Sequence, residues 1–166
     1  MTVEPVASAA APAPPHALVT GGSRGLGRAI VVELAAAGYA VSFCYRSQSA
    51  AAATTLELAR QRRPEAALWH AACDVADPDQ VRDFVAAAIA EFGPAEVVVP
   101  AAGVNRDGPV ALLAAADWTD VIDTDLSGVF HVVHEVVRPM MRLGRGRVIT
   151  ISSVAGCVGN AGQANY

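Results

Sequence analysis

The sequence predicts an α/β fold built on a doubly wound parallel sheet. Three observations carry that prediction. From residue 17 onward, short β-rich runs alternate with longer helical stretches, which is the order of parallel strands joined by right-handed crossovers. The strand runs are apolar throughout instead of alternating with polar residues, as expected when helices cover both faces of a sheet. A glycine-rich turn, Thr20-Gly21-Gly22-Ser23-Arg24-Gly25-Leu26-Gly27, follows the first run and opens the first helix. Ligands of such sheets bind at the carboxyl ends of the strands.

Each element has a local reason. Met1 to Pro15 holds four prolines and five alanines with no periodic apolar pattern, and is read as a disordered tail. It lacks the positive start and apolar stretch of a secretory signal. Ala17–Thr20 is a short buried strand. Gly25–Ala37 is a helix, ended by Gly38, because the residue after a helix favours a left-handed backbone. Ala40–Tyr45 is the second strand, and Ser49–Arg62 is a helix that stops before Pro64. Ala67–Ala71 is the third strand. Asp77 caps the next helix, with Pro78 at its first position and its end near Phe92-Gly93. Glu96–Val99 is the fourth strand. Asp117 caps a long helix running to about Arg142, and Arg147–Ser152 is the fifth strand.

Composition sets the bounds. The chain of 166 residues is long enough for one domain with a real core. Hydrophobic residues make up 53%, but 35 of the residues are alanine, so that fraction overstates the large core side chains. All 12 basic residues are arginine, against 16 acidic ones, for a formal charge of −4. That balance excludes a broad nucleic-acid or anionic-membrane surface. No apolar run reaches the roughly 18 residues of a membrane span. The three cysteines, Cys44, Cys73 and Cys157, have no metal-ligand spacing and argue against a disulfide scaffold. They fit a reducing cytoplasm.

The glycine turn is the first site. Glycines allow the tight turn and let backbone N–H groups approach a phosphate, and the helix N-terminus adds partial positive charge. Its place directly after the first strand, inside a βαβ unit, favours dinucleotide binding in a Rossmann-like fold over an ordinary turn rich in glycine. Gly21-Gly22-Ser23-Arg24-Gly25 also matches the nucleophile elbow G-x-S-x-G, but that arrangement needs an oxyanion loop from an earlier strand, and the tail offers none. At the end of the second strand an acid would favour NAD, whereas an arginine accommodates a 2′-phosphate. The sequence there is Tyr45-Arg46-Ser47. Arg46, with Arg24 in the turn, favours NADP(H). Asp74-Val75 after the third strand either reads the adenine amino group or begins the turn into Asp77-Pro78.

With these segments in place, the sequence resembles the short-chain dehydrogenase/reductase superfamily, most closely its 3-oxoacyl-[acyl-carrier-protein] reductases of fatty-acid and polyketide synthesis. The resemblance rests on Thr20 to Gly27, Asp74-Val75, Val99 to Gly103, Asp125 to Phe130, Gly146 to Ser153 and Gly159 to Tyr166. It implies a cofactor site made by Gly21, Ser23, Arg24, Gly25, Leu26, Gly27, Arg46, Asp74, Val75, Ala101, Ala102 and Gly103. It implies hydride transfer from NADPH to a 3-oxoacyl thioester carried by acyl-carrier protein or coenzyme A. Tyr166 would protonate the carbonyl oxygen and Ser153 would hydrogen-bond it. The implied enzyme is cytoplasmic and a homo-oligomer in its full-length form, with no nucleic-acid or membrane partner.

Three departures from the family pattern set further expectations. The tyrosine, with a pKa of about 10, needs a neighbouring cation for acid–base work near neutral pH. The resemblance places a lysine one helical turn beyond it, and this sequence ends at Tyr166 without a lysine anywhere. Roughly the last third of the family domain is therefore expected to be missing, leaving 16–166 as an incomplete nucleotide-binding domain. The terminal carboxylate beside the phenol acts in the wrong direction, so this polypeptide is expected to have little or no reductase activity. Pro100-Ala101-Ala102-Gly103 stands where the family has Asn-Asn-Ala-Gly, and Asp125 stands at the position of a catalytic asparagine. Aspartate cannot donate as an amide does unless protonated. These departures keep a second reading open, a non-catalytic nucleotide- or partner-binding remnant of the same fold.

Other features read as structural. His131 and His134 lack the His-Glu-x-x-His pattern of a zinc helix. Arg138, Arg142, Arg145 and Arg147 are favourable charge near a helix C-terminus, or a docking patch for an acidic carrier protein. Nothing marks Cys157 as a nucleophile.

Overall fold

Residues 13–166 are described by a computed structural model. Up to residue 12, the expected tail lies outside the described residues. Strands β1 (His16–Thr20), β2 (Ala40–Tyr45), β3 (Leu68–Ala72), β4 (Val97–Pro100) and β5 (Arg147–Val148) form one parallel sheet in the order β3-β2-β1-β4-β5. The chain moves outward from β1 to β3, then returns to lay β4 on the other side of β1. This reversal opens a crevice between the ends of β1 and β4, where doubly wound sheets bind their ligands.

Helices α1 (Gly25–Ala36) and α2 (Ser49–Arg62) cover one face of the sheet, and α3 (Pro78–Phe92) and α5 (Gly128–Leu143) cover the other. Side-chain alternation along β1 divides the core. Leu18 points toward Val81, Phe84, Val132 and Val136, whereas Ala17 and Val19 pack with Val31, Ala35, Ala52 and Ala59. The alanines explain the composition. The buried positions of α2 are Ala52, Thr55 and Ala59, small enough for the helix to lie close to α1 and the sheet. The large apolar burial comes from Phe43, Leu18 and the valines, each worth roughly 1.5–3 kcal/mol.

Most elements lie within a residue of their expected bounds, and three differ. The long helix starts at Ala115, as α4 (Ala115–Val121), with Ala114 and not Asp117 at its cap. Asp117 falls in the first turn, where its charge still suits the helix dipole. A π-helical turn, Ile122–Ser127, then joins α4 to α5. The fifth strand is expected to reach Ser152 but ends at Val148. Arg147 and Ile149 donate to the Glu96 and Val98 carbonyls at 2.8 and 2.9 Å. The next donor on β4 is Pro100, which has no N–H, so the ladder stops. A short helix not foreseen from sequence, α6 (Ala155–Val158), follows Ser153. Within the arginine group, Arg145 is committed to Glu96 by two hydrogen bonds of 2.7 and 2.9 Å.

Candidate active site

The glycine turn is held by close backbone contact. Gly21 has φ +68°, and a Cβ there would lie 2.7 Å from the Ala102 Cα and 2.9 Å from the Ala101 carbonyl oxygen. A Cβ on Gly27 would collide with the Gly21 carbonyl. The turn after β1 and the turn after β4 are thus pressed together, and no other residue fits. Thr20 adds a polar tie: its hydroxyl oxygen accepts the N–H groups of Ala101 and Ala102, both at 3.1 Å. Threonine thereby steadies the sheet centre where Pro100 and Ala101 replace the asparagines of the resembled pattern.

From the other side, Arg28 holds the turn by donating to the Ser23 carbonyl from Nε at 3.1 Å and Nη2 at 2.6 Å. The Thr55 hydroxyl donates to the Gly22 carbonyl at 3.0 Å. Sequence reasoning missed Thr20, Arg28 and Thr55. Arg28, one turn after Arg24 on α1, carries the only local signal among them. Ser23 itself is buried in the loop.

The helix that follows leaves its N-terminus available. Residue Arg24 at the cap of α1 makes no side-chain cap bond, and the first turn has no acid. By contrast, Asp77 caps α3 by accepting the N–H groups of Asp79 and Gln80. The first N–H groups of α1 therefore remain for an anion. They face a cleft of about 260 Å³ lined by the turn, by Arg46, by Asp74 and Val75, and by Ala101 to Gly103. All twelve expected cofactor residues line this one cleft. Arg24 is exposed at its edge. Arg46 lies 3.6 Å from the Asp120 carboxylate.

Asp74 lies where the turn and the cleft meet. Its carboxylate accepts the Ala76 N–H at 3.1 Å and shapes the turn, yet the residue lines the cleft. Val75 is buried against Gly128, where a Cβ would meet it at 2.7 Å. His131 Nδ1 bonds the Val75 carbonyl at 3.0 Å, which accounts for that histidine. The cleft also contains a residue the sequence did not flag. Thr124, in the π turn, is 5% exposed, and its hydroxyl has no hydrogen-bond partner among the described residues. Beneath the cleft lie Cys44 and Cys73. Hydrogen bonding to Cys73, and then burial, push the Cys44 thiol well above its ordinary range, so it stays protonated.

Ser153, Tyr166 and Asp125 line a second cavity of about 380 Å³. It shares Leu26, Ala101, Ala102 and Gly103 with the first, so the two cavities adjoin at these residues. Ser153 Oγ accepts the Ala155 N–H at 3.2 Å, which leaves its own proton free to donate. Asn165 anchors Tyr166: its Oδ1 accepts the Tyr166 N–H at 2.9 Å, while its Nδ2 donates to the Arg106 and Asp117 carbonyls at 3.0 and 3.3 Å. Asp125 Oδ1 accepts the Val104 N–H at 2.9 Å. Burial lifts the Asp125 carboxyl above its ordinary range, the nearby Asp120 charge adds to this, and the Val104 bond opposes it.

Comparison with known proteins agrees with this geometry. The profile of the family described as short chain dehydrogenase matches residues 15–166. The 3-oxoacyl-[acyl-carrier-protein] reductase FabG of Staphylococcus aureus (strain Mu50) is 39% identical over 150 residues, which cover 90% of this chain and 60% of that protein. The protein of the same name from Escherichia coli (strain K12) is 40% identical over 150 residues, covering 90% and 59%. Among solved structures, levodione reductase matches with a TM-score of 0.87 at 31% identity, covering 92% of this chain and 59% of that one. An actinorhodin polyketide ketoreductase variant with NADPH matches with a TM-score of 0.87 at 34% identity, covering 92% and 58%. The chain thus spans about 60% of the length of the curated relatives it matches.

Proposed function

The chain belongs to the short-chain dehydrogenase family, and on that premise we propose that it carries the cofactor-binding and proton-donating part of an NADPH-dependent reductase of 3-oxoacyl thioesters. The observation that carries this reading is the shared wall. Ser153 and Tyr166 line a cavity that shares Leu26 and Ala101 to Gly103 with the cleft of the glycine turn. Two relatives bear the name 3-oxoacyl-[acyl-carrier-protein] reductase, which supports a substrate carried by acyl-carrier protein or coenzyme A. The ketoreductase with NADPH supports the phosphorylated cofactor. Residues 16–166 are one nucleotide-binding unit in this reading, and the protein works in the cytoplasm. No helix of the described residues is long and apolar enough to cross a membrane. An outward apolar stripe on α5, including Phe130 and Met141, supports assembly into a homo-oligomer.

The residues present fit such a cofactor. The Gly21–Gly27 cradle admits no Cβ at its closest points, the α1 N-terminus is open to a pyrophosphate, and Thr124 offers a buried hydroxyl in need of a partner. Arg24 and Arg46 supply cations for a 2′-phosphate at the cleft edge. When bound, the nicotinamide supplies the hydride that reduces the carbonyl carbon. The Ser153 hydroxyl donates a hydrogen bond to the carbonyl oxygen and holds it beside Tyr166. The Tyr166 phenol then transfers its proton to that oxygen, giving the 3-hydroxy product and leaving a phenolate. A phenolate needs a cation beside it, and these 166 residues contain no lysine. A polypeptide of these residues alone is therefore expected to bind the cofactor and reduce substrate very slowly.

Two measurements test the reading. NADPH should bind the chain with higher affinity than NADH, and Arg46→Ala should remove that preference. Reduction of a 3-oxoacyl thioester by the protein should fall below detection in Tyr166→Phe and drop steeply in Ser153→Ala. Full activity in Tyr166→Phe refutes the proton assignment, and an ordinary turnover rate for the isolated 166 residues refutes the expected inactivity.

A further inference from the structure

We infer that Asp120 is a specificity-determining residue, which holds Arg46 at the nucleotide cleft and competes with the cofactor's 2′-phosphate for it. The inference rests on the reading of the cleft as an NADP(H) site.

Arg46 and Asp120 come from different elements. Arg46 follows β2, and Asp120 lies in the last turn of α4. Their charged groups meet at 3.6 Å, Nη1 to Oδ1, with side chains 49% and 30% exposed. The other carboxylate oxygen of Asp120 is bound much more closely, by Arg106 Nη2 at 2.6 Å. Asp120 is thus anchored by Arg106, while Arg46 leans on it at a distance too long for a hydrogen bond. Of the two arginines, Arg46 is the one free to exchange its partner.

A second observation places the π turn that follows Asp120 at the cleft. Thr124, four residues beyond Asp120, lines the cleft with its buried hydroxyl unpartnered. Asp120 therefore places negative charge beside Arg46, at the edge of the cleft that Arg46 lines. A 2′-phosphate must take Arg46 from Asp120 and sit near that carboxylate. A dinucleotide without the 2′-phosphate leaves the pair intact. Asp120 accordingly lowers the preference for NADPH over NADH below the level that Arg46 alone would set.

Asp120→Asn tests this, because it keeps an oxygen for Arg106 while removing the charge. Equilibrium binding of NADPH and of NADH is measured by fluorescence titration for the wild type, Asp120→Asn, Arg46→Ala and the double variant. Asp120→Asn should tighten NADPH by roughly two- to fivefold, the scale of a half-exposed ion pair, with NADH unchanged. In the Arg46→Ala background the gain should vanish. NADH affinity also reports folding, so a merely misfolded variant is recognised by loss of both. The inference is overturned alone if the wild type binds both dinucleotides and Asp120→Asn leaves their ratio unchanged or lowers it. It is also overturned if the gain persists without Arg46. A wild type that binds neither dinucleotide overturns the cofactor reading and the inference with it.

Discussion

Replacing Thr20 by valine isolates the contribution of one hydroxyl to the centre of the sheet. Thr20 is 1% exposed, and its oxygen is the acceptor for the Ala101 and Ala102 N–H groups at 3.1 Å each. Valine keeps the shape but removes the acceptor, so it is not a neutral exchange. An unsatisfied buried N–H costs about 1–3 kcal/mol. Both alanines are half-buried and line the cavities, so water relieves part of the loss, and the low end applies to each. The sum is about 2 kcal/mol. With a urea m-value of about 2 kcal/mol per molar for a chain of this size, the midpoint should fall by about 1 M. Thr20→Ser keeps the oxygen and loses a methyl group, costing about 1 kcal/mol, so its midpoint should fall half as far. The valine variant should also lose NADPH affinity, because Ala101 and Ala102 form the shared wall, whereas the serine variant should not. A valine variant as stable as the wild type, or more stable than the serine variant, refutes the tie.

Four other outcomes follow from the geometry. The carboxyl of Asp125 is raised from its ordinary 3.8 by burial, so the folded chain binds this proton more tightly than the unfolded one. Stability from this group is lost as pH rises above about 4, and the urea midpoint of Asp125→Asn should gain on the wild type as pH rises from there. His16 moves the opposite way: burial lowers it from 6.5, partly offset by its bond to the Gly93 carbonyl. Its contribution is complete above 6.5 and lost as pH falls below that, so His16→Asn should flatten the stability profile on the acid side of neutral. Arg28→Met removes both bonds to the Ser23 carbonyl and should weaken NADPH and NADH alike, by about tenfold in a binding titration. Thr124→Val removes a buried hydroxyl without a partner, and should stabilise the cofactor-free chain by about 1 kcal/mol in urea while weakening dinucleotide binding.

What was legible in the sequence was local. Apolar runs and punctuating glycines and prolines located the first four strands and the first three helices to within a residue, because those signals act over a few positions. The glycine turn was legible for the same reason. What was not legible depends on partners far along the chain. Thr20 serves Ala101 and Ala102 about eighty residues away, and Arg46 meets Asp120 from a distant element. Asp117 is a good N-cap by residue type, yet the chain enters α4 at Ala114, whose extended backbone (φ −67°, ψ 143°) starts the helix earlier. The truncation of β5 was readable in principle. Pro100 lacks a donor wherever it stands, but only the pairing register shows that its missing N–H is the one β5 needs.

Three departures from ordinary packing fall on one turn. The core strands are buried and laddered, and α3 has its cap, its proline and its apolar face in agreement. By contrast, Ile122–Ser127 is π-helical, leaves the Thr124 hydroxyl without a partner, and buries part of the Asp125 carboxylate. Each feature opposes stability, and π turns are frequent at functional sites. Consecutive residues of this turn face different cavities: Thr124 lines the nucleotide cleft, and Asp125 lines the cavity of Ser153 and Tyr166. A segment that served only to link two helices has no reason to retain these costs, and regular α-helix would remove the first. Their concentration where the two cavities meet is what a site held against local stability looks like. It favours a ligand-binding origin for the turn over a purely architectural one.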